Sequence, residues 1–223
     1  MRQKFIAYDI DGTLLKVKSG YIRKLIKTLF EKYGVEKFVE DSTSFAGRTD
    51  FDIFNGLLKD NGLDHSLFYD IKASYTNLLN NTLLPEHIEP IPGVMESIQY
   101  FRTSEFPIGL LTGNFEESAY IKLNRGSLDS FFSVGSFGCN SSDRRKLAEK
   151  SLEDARATLG SSFLPKDLVV IGDTPHDITC AKHVGATAVA VTTGYFNREQ
   201  LDEFEPDLIL DSLGNTTDWF ELT

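Results

Sequence analysis

The sequence predicts an α/β fold: a parallel sheet between helices, with a further group of helices inserted after the first strand. Two observations predict the sheet. Short, nearly continuous apolar runs recur with helical patterns between them, and several of those runs end in Asp, Thr or Gly. A third observation predicts the insertion, since a long stretch after the first run breaks the alternation and carries helical periodicity instead.

Taken in order, the predicted strands cover residues 4–8, 108–112, 133–137, 168–172, 188–191 and 208–210. They are almost wholly apolar, as strands covered on both faces must be. Ligands of such sheets collect at the carboxyl ends of the strands. After the first run, Ser19 is the expected cap of a helix. Its apolar positions Ile22, Leu25, Ile26, Leu29, Phe30 and Tyr33 follow i, i+3, i+4 spacing, and Gly34 is its expected terminator. Helical patterns follow at 51–58 and 66–79, and Pro90, Pro92 and Gly93 mark the return to the sheet. The expected division is a catalytic core of residues 1–16 and 91–223 with a helical cap of residues 17–90.

Composition narrows the function. A chain of 223 residues with 41% hydrophobic and 25% charged residues has material for one core, or a core and a smaller inserted domain. Its formal charge of −10 gives no electrostatic basis for binding nucleic acid or an anionic membrane surface. An anionic substrate would therefore need a local cation. Cys139 and Cys180 form neither a zinc-type pair nor a disulfide framework. The N-terminus reaches Asp9 before a secretory apolar region develops, and no apolar run approaches about 18 residues. A cytoplasmic protein, monomer or homodimer, is expected.

Three strand ends carry the chemistry. The first reads Asp9-Ile10-Asp11-Gly12-Thr13-Leu14. Strand alternation puts Asp9 and Asp11 on one side, where two carboxylates suit a hard divalent cation, and Gly12 lets the chain turn. The late strand ends in Gly172-Asp173, and Asp177 returns to the same place from the first turn of a helix begun by Pro175. Asp173 also suits a helix cap. At the end of 108–112, Thr112, Gly113 and Asn114 precede a helix over 115–123, a place where a hydroxyl and free backbone N–H groups suit phosphate oxygens and where Asn114 is the expected cap.

Together these motifs resemble the haloacid dehalogenase superfamily, whose phosphatases share DxDGT, a strand ending in Thr or Ser, a basic residue, and GDxxxD. The resemblance spans nearly the whole chain and looks closest to the phosphoglycolate-phosphatase-like branch with a helical cap. It implies a Rossmann-like core and a Mg2+-dependent phosphatase acting on a small phosphorylated metabolite. By that resemblance Asp9 is the nucleophile that forms an aspartyl-phosphate, and Asp11 the acid/base whose backbone carbonyl is also a metal ligand. Asp173 and Asp177 complete the metal set, directly or through water, while Thr112 and the backbone near Gly12, Thr13, Gly113 and Asn114 hold phosphate. These implied roles differ from what strand alternation alone suggests, that the Asp9 and Asp11 side chains both bind metal.

The family's usual lysine is missing from its place. Ser141-Ser142-Asp143-Arg144-Arg145-Lys146 stands there, and Arg144, following a cap at Ser142 or Asp143, ranks first among the three basic residues. A guanidinium there would reach both phosphate and Asp9. In the insertion, Asp50 is expected to cap the next helix, and Arg48 to meet a substrate carboxylate or second phosphate. The rival readings are a phosphomutase of the same superfamily, then a non-catalytic binding module. A dehalogenase fits less well, because Asp11 serves a leaving alcohol.

Overall fold

The computed structural model describes residues 3–39 and 45–223. Its elements run in chain order as β1 (Phe5–Tyr8), β2 (Leu15–Val17), α1 (Tyr21–Lys32), α2 (Asp50–Asp60), α3 (Phe68–Thr82), β3 (Ile88–Pro90), α4 (Val94–Thr103), β4 (Ile108–Thr112) and α5 (Glu116–Arg125). There follow β5 (Gly135–Phe137), α6 (Arg145–Leu159), β6 (Leu168–Gly172), α7 (Pro175–Val184), β7 (Thr187–Val191), α8 (Arg198–Asp202), β8 (Leu208–Leu210) and α9 (Thr216–Phe220).

Six strands form one parallel sheet in the order β5-β4-β1-β6-β7-β8. β1 lies in the middle, with Tyr8 opposite Leu110 of β4 and Ile171 of β6. That register brings the ends of these three strands side by side, which is why distant segments of the sequence meet at one edge.

Strand alternation sorts the apolar side chains into two layers. Ile6, Tyr8, Leu110, Val169, Ile171, Val189 and Val191 pack with Val94, Ile98 and Phe101 of α4 and with Trp219 and Phe220 of α9. Phe5, Ala7, Leu111, Val170, Ala188 and Ala190 pack on the other face with Leu147, Ala148 and Leu152 of α6 and Ile178 and Ala181 of α7. Phe101 is fully buried and meets Tyr8, Trp219 and Phe220 edge to face, with centroids 4.8–6.5 Å apart. Such pairs each add about 0.5–1.5 kcal/mol to the burial itself.

Helices α1, α2 and α3 build a third apolar layer of their own from Leu25, Leu29, Phe30, Phe54, Leu57, Phe68, Tyr75 and Leu79. Phe115, at the start of α5, inserts into that layer from the sheet side. Where the inserted segment leaves and rejoins the core, β2 and β3 form an antiparallel ribbon, Leu15 against Pro90 and Val17 against Ile88.

Two expected caps differ. Ser19 does not cap α1; Gly20 does so at φ +77°, a left-handed conformation open to glycine. Asp50 does not cap α2; the Thr49 hydroxyl accepts from the Asp52 N–H in that role. Asp50 caps a different helix, with a carboxylate oxygen that accepts from Phe115 N–H at 2.8 Å and from the Ser118 hydroxyl at 3.2 Å. The inserted segment is thereby tied to the first turn of α5.

Candidate active site

The site begins where β1 ends. Asp9 N–H donates to Ile171 O at 2.9 Å, which extends the ladder by one residue. The chain then folds back, so that the N–H groups of Thr13, Leu14 and Leu15 all point to Ile10 O at 2.9–3.2 Å. Gly12 makes this turn at φ +88°, and a Cβ there would lie 2.4 Å from Asp173 Oδ2. Glycine is thus required twice over, by conformation and by contact. A Cβ on Gly194 would fall 1.7 Å from Asp173 Oδ2, and one on Gly172 would fall 2.1 Å from Asp177 Cγ. Missing side chains make the space in which these carboxylates sit.

Asp9, Asp173 and Asp177 each bring a carboxylate oxygen within 4.8 Å of the others, and all three residues are at most 5% exposed. Among the described residues one cation faces them: Arg144 Nη2 contacts Asp177 Oδ1 and lies 3.4 Å from Asp9 Oδ2. Burial works against the charge on Arg144, but Asp177 and Asp9 outweigh it and hold the guanidinium above its ordinary pKa. The carboxylates fare worse. Burial pushes Asp9 up to about 6, with Arg144 opposing and Asp177 and Asp11 reinforcing. Asp173 is driven well above the usual carboxylate range, first by burial and then by Asp9 and Asp177. Three acidic groups against one arginine leave a buried excess of negative charge, which a hard divalent cation with oxygen ligands relieves.

Asp177 is held on both oxygens. Thr174 N–H and hydroxyl donate to Oδ2 at 3.0 and 2.7 Å, closing a capping box at the start of α7, while Oδ1 faces Arg144. Thr174, not Asp173, therefore caps the helix. Among the three basic candidates, Arg144 alone turns inward, whereas Arg145 pairs with the neighbouring Asp143 and is exposed, as is Lys146.

Two other expectations change, those for Thr13 and Asn114. Thr13 does not line the cavity: it is fully buried, and its hydroxyl donates to Asp173 Oδ1 at 3.1 Å, so it braces a carboxylate. The Asp11 side chain lies outside the carboxylate cluster, turned toward Asn114 and Lys122. Asn114 caps no helix. Its amide Nδ2 donates to Asp11 Oδ2 and to Thr112 Oγ1, both at 2.8 Å, and its Oδ1 accepts from Lys122 Nζ at 2.6 Å. Because Thr112 Oγ1 is an acceptor in that bond, its own proton remains available to a phosphate oxygen. Ser142 makes no cap to α6; Asp143 Oδ1 accepts the Arg145 N–H instead.

A cavity of about 720 Å3 opens over these groups, lined by Asp9, Asp11, Gly12, Thr112, Gly113, Asn114, Arg144 and Asp173 from the sheet edge. The inserted segment supplies the opposite wall, with basic Lys18, Arg23 and Arg48 and apolar Ile22, Ile26, Phe45, Ile53 and Phe54. The loop carrying Arg48 docks directly on the strand ends. Asp50 N–H donates to Gly113 O at 2.7 Å, Thr49 Oγ1 to Ser141 O at 2.8 Å, and Arg144 Nη1 to Gly47 O at 3.1 Å. A Cβ on Gly113 would lie 2.2 Å from Arg48 O. Arg48 Nε itself donates to Asp52 Oδ2 at 2.7 Å.

Lys122 is the site residue the sequence reading passed over. It sits on α5 with the buried Ser118, Ala119 and Leu123, on the apolar face where a lysine does not belong without a partner. That placement, one and four residues from buried small or apolar neighbours, is the signal that marks it.

Fold and site together define an α/β enzyme with an acid-rich pocket at the carboxyl edge of a parallel sheet. The family model for haloacid dehalogenase-like hydrolases matches residues 6–191, and the chain belongs to that family. It is 25% identical over 215 residues to the pyrophosphatase PpaX of Bacillus cereus (strain AH820), covering 96% of this chain and 95% of that protein. Among solved structures it is similar to CbbY from Rhodobacter sphaeroides in complex with phosphate, at TM-score 0.75, 18% identity and 96% coverage of each chain. It is likewise similar to a predicted phosphoglycolate phosphatase from Haemophilus somnus 129pt, at TM-score 0.73, 17% identity and 99% coverage of each. No helix among the described residues is long and apolar enough to cross a membrane.

Proposed function

We propose that the protein is a Mg2+-dependent phosphatase of small phosphorylated metabolites that works through an aspartyl-phosphate on Asp9. The observation that carries the proposal is the buried cluster of Asp9, Asp173 and Asp177, faced by the Arg144 guanidinium. All-oxygen donors, a glycine-made cradle and unrelieved negative charge fit Mg2+, which Asp9, Asp173 and Asp177 would hold, directly or through water, with the Asp11 backbone carbonyl joining them as the family resemblance implies. When bound, Mg2+ would offset repulsion between the nucleophile and the anionic ester and stabilise charge on the transferring phosphoryl group.

The chain's own groups do the rest. Asp9 attacks phosphorus, and the bond to the ester oxygen breaks. Asp11 protonates the departing alcohol, then takes a proton from the water that hydrolyses the acyl phosphate. Thr112, the Gly113 and Asn114 backbone and Arg144 hold the phosphate oxygens. The wall bearing Arg48 closes off bulk water and offers positive charge to a second anionic group on the substrate.

Release of inorganic phosphate from a panel of phosphomonoesters, with pyrophosphate included because of the PpaX relatives, tests the reading. Activity is expected with Mg2+, is expected to vanish with chelator, and is expected to fall by at least about a thousandfold in Asp9→Asn. Isomerised sugar phosphate without phosphate release would replace the hydrolase by a mutase. Activity that survives Asp9→Asn would overturn the mechanism.

A further inference from the structure

We propose that Lys122 is a positioning residue for the general acid: it fixes the Asp11 carboxylate so that one oxygen faces the leaving group. This rests on the acid/base reading of Asp11 and goes beyond it by naming what holds that side chain in place.

The geometry is asymmetric. Lys122 Nζ at 2.6 Å and Asn114 Nδ2 at 2.8 Å both donate to Asp11 Oδ2. Among the described residues no hydrogen bond reaches Oδ1. A carboxylate anchored on one oxygen by two donors cannot rotate freely about its last bond, and Oδ1 is left for a substrate oxygen in the cavity that Asp11 lines. Asp11 needs such an anchor, because its side chain is 41% exposed and stands on the tight turn between Ile10 and Thr13, whereas the Lys122 side chain is 5% exposed.

Lys122 also orients the second anchor. Its bond to Asn114 Oδ1 at 2.6 Å forces the amide nitrogen toward Asp11 and Thr112, because the reversed amide would put an N–H against the ammonium. A single helical lysine thus determines both donors to Oδ2. Its place on α5 suits this task, since α5 is tied at its first turn to Asp50 and packed through Ala119 and Leu123 into the sheet layer. The anchor is rigid while the carboxylate it holds faces solvent.

A group that places the general acid matters in proportion to how much the leaving alcohol needs its proton. The test compares kcat/KM for an alkyl phosphate from the panel with that for p-nitrophenyl phosphate, whose leaving group departs without help. Both are measured at saturating Mg2+ in wild type, Lys122→Met, Asp11→Asn and the double variant. Lys122→Met is expected to lower the alkyl value by about 10- to 100-fold, part of the 10²–10⁴ that a general acid supplies, and by at least tenfold more than the aryl value. Added to Asp11→Asn, it is expected to cost little further. Equal losses on both substrates, or full additivity with Asp11→Asn, would overturn the proposal. The parent reading fails separately, if Asp11→Asn itself shows no preference between the two leaving groups. Should Lys122→Met give no cooperative melt, Lys122→Gln, which keeps a neutral donor, is held to the same criterion with a smaller selective loss expected.

Discussion

Asp9→Asn is expected to move activity and stability in opposite directions. Burial, with Asp177 and Asp11, raises the Asp9 carboxyl from 3.8 to about 6 even against Arg144. A raised folded-state value means that the folded protein keeps a proton that the unfolded chain releases. The stability this gives is full below about pH 4 and is lost as pH rises through about 6. A shift of roughly two units is worth about 3 kcal/mol at neutral pH and above. Asparagine has nearly the shape of the protonated acid and no charge to desolvate, so the variant escapes that loss.

With chelator present at pH 7.5, Asp9→Asn is therefore expected to melt about 6–12 °C above wild type, taking roughly 2–4 °C per kcal/mol for a chain of this size. The gap should close toward pH 4, where wild-type Asp9 also carries its proton. Millimolar Mg2+ should raise the wild-type midpoint much more than the variant's, because only wild type has the full charge for a cation to relieve. Scanning calorimetry in chelator and in Mg2+ across pH 4 to 8 reads all three effects. If Asp9→Asn melts below wild type in chelator at pH 7.5, Arg144 alone balances the cluster and the argument for a bound cation fails.

Other substitutions test the surroundings of that carboxylate. Gly113→Ala would set a methyl 2.2 Å from Arg48 O and displace the docked loop, so kcat/KM should fall by about 5- to 160-fold, the equivalent of the 1–3 kcal/mol typical of overpacking. Far-ultraviolet circular dichroism should stay unchanged, and an unaltered kcat/KM would mean that the loop need not dock for turnover. Arg144→Met leaves Asp9 and Asp177 without their facing charge and should cost about 3–5 kcal/mol in a denaturant titration, whereas Arg144→Lys should fold but lose most activity for want of a fork. Asp50→Ala removes the acceptor of the Phe115 N–H and should lower stability by about 1 kcal/mol, read as a shift in the denaturant midpoint.

The parts of the protein legible in the sequence are those whose signal is local. All six sheet strands stand within two residues of their predicted ends, because a strand covered on both faces must be apolar along its length. The ribbon of β2 and β3 escaped notice, since three residues on each side give no period to read. Caps went astray for a different reason. Asp50 and Asn114 each stand beside a helix start and have the side chain that caps it, yet both are drawn away by partners outside that first turn, Phe115 and Ser118 for one and Asp11 with Lys122 for the other. Propensity ranks what a residue does with its neighbours in the chain, and these two residues spend their hydrogen bonds elsewhere.

The same contrast separates Arg144 from Lys122. Three basic residues in a row at a helix start announce that one of them can face a strand end, and only the turn of the backbone decides which. Lys122 has no motif around it; what it has is a position on the buried face of α5, two turns beyond Asn114, where an uncompensated ammonium would be costly. Its burial is tolerable because Asp11 and Asn114 are there to receive it, and both lie at strand ends that the sheet order brings to the foot of α5. A lysine on an apolar helical stripe, in a chain with unmatched carboxylates at its strand ends, is therefore itself a statement about where one of those carboxylates points.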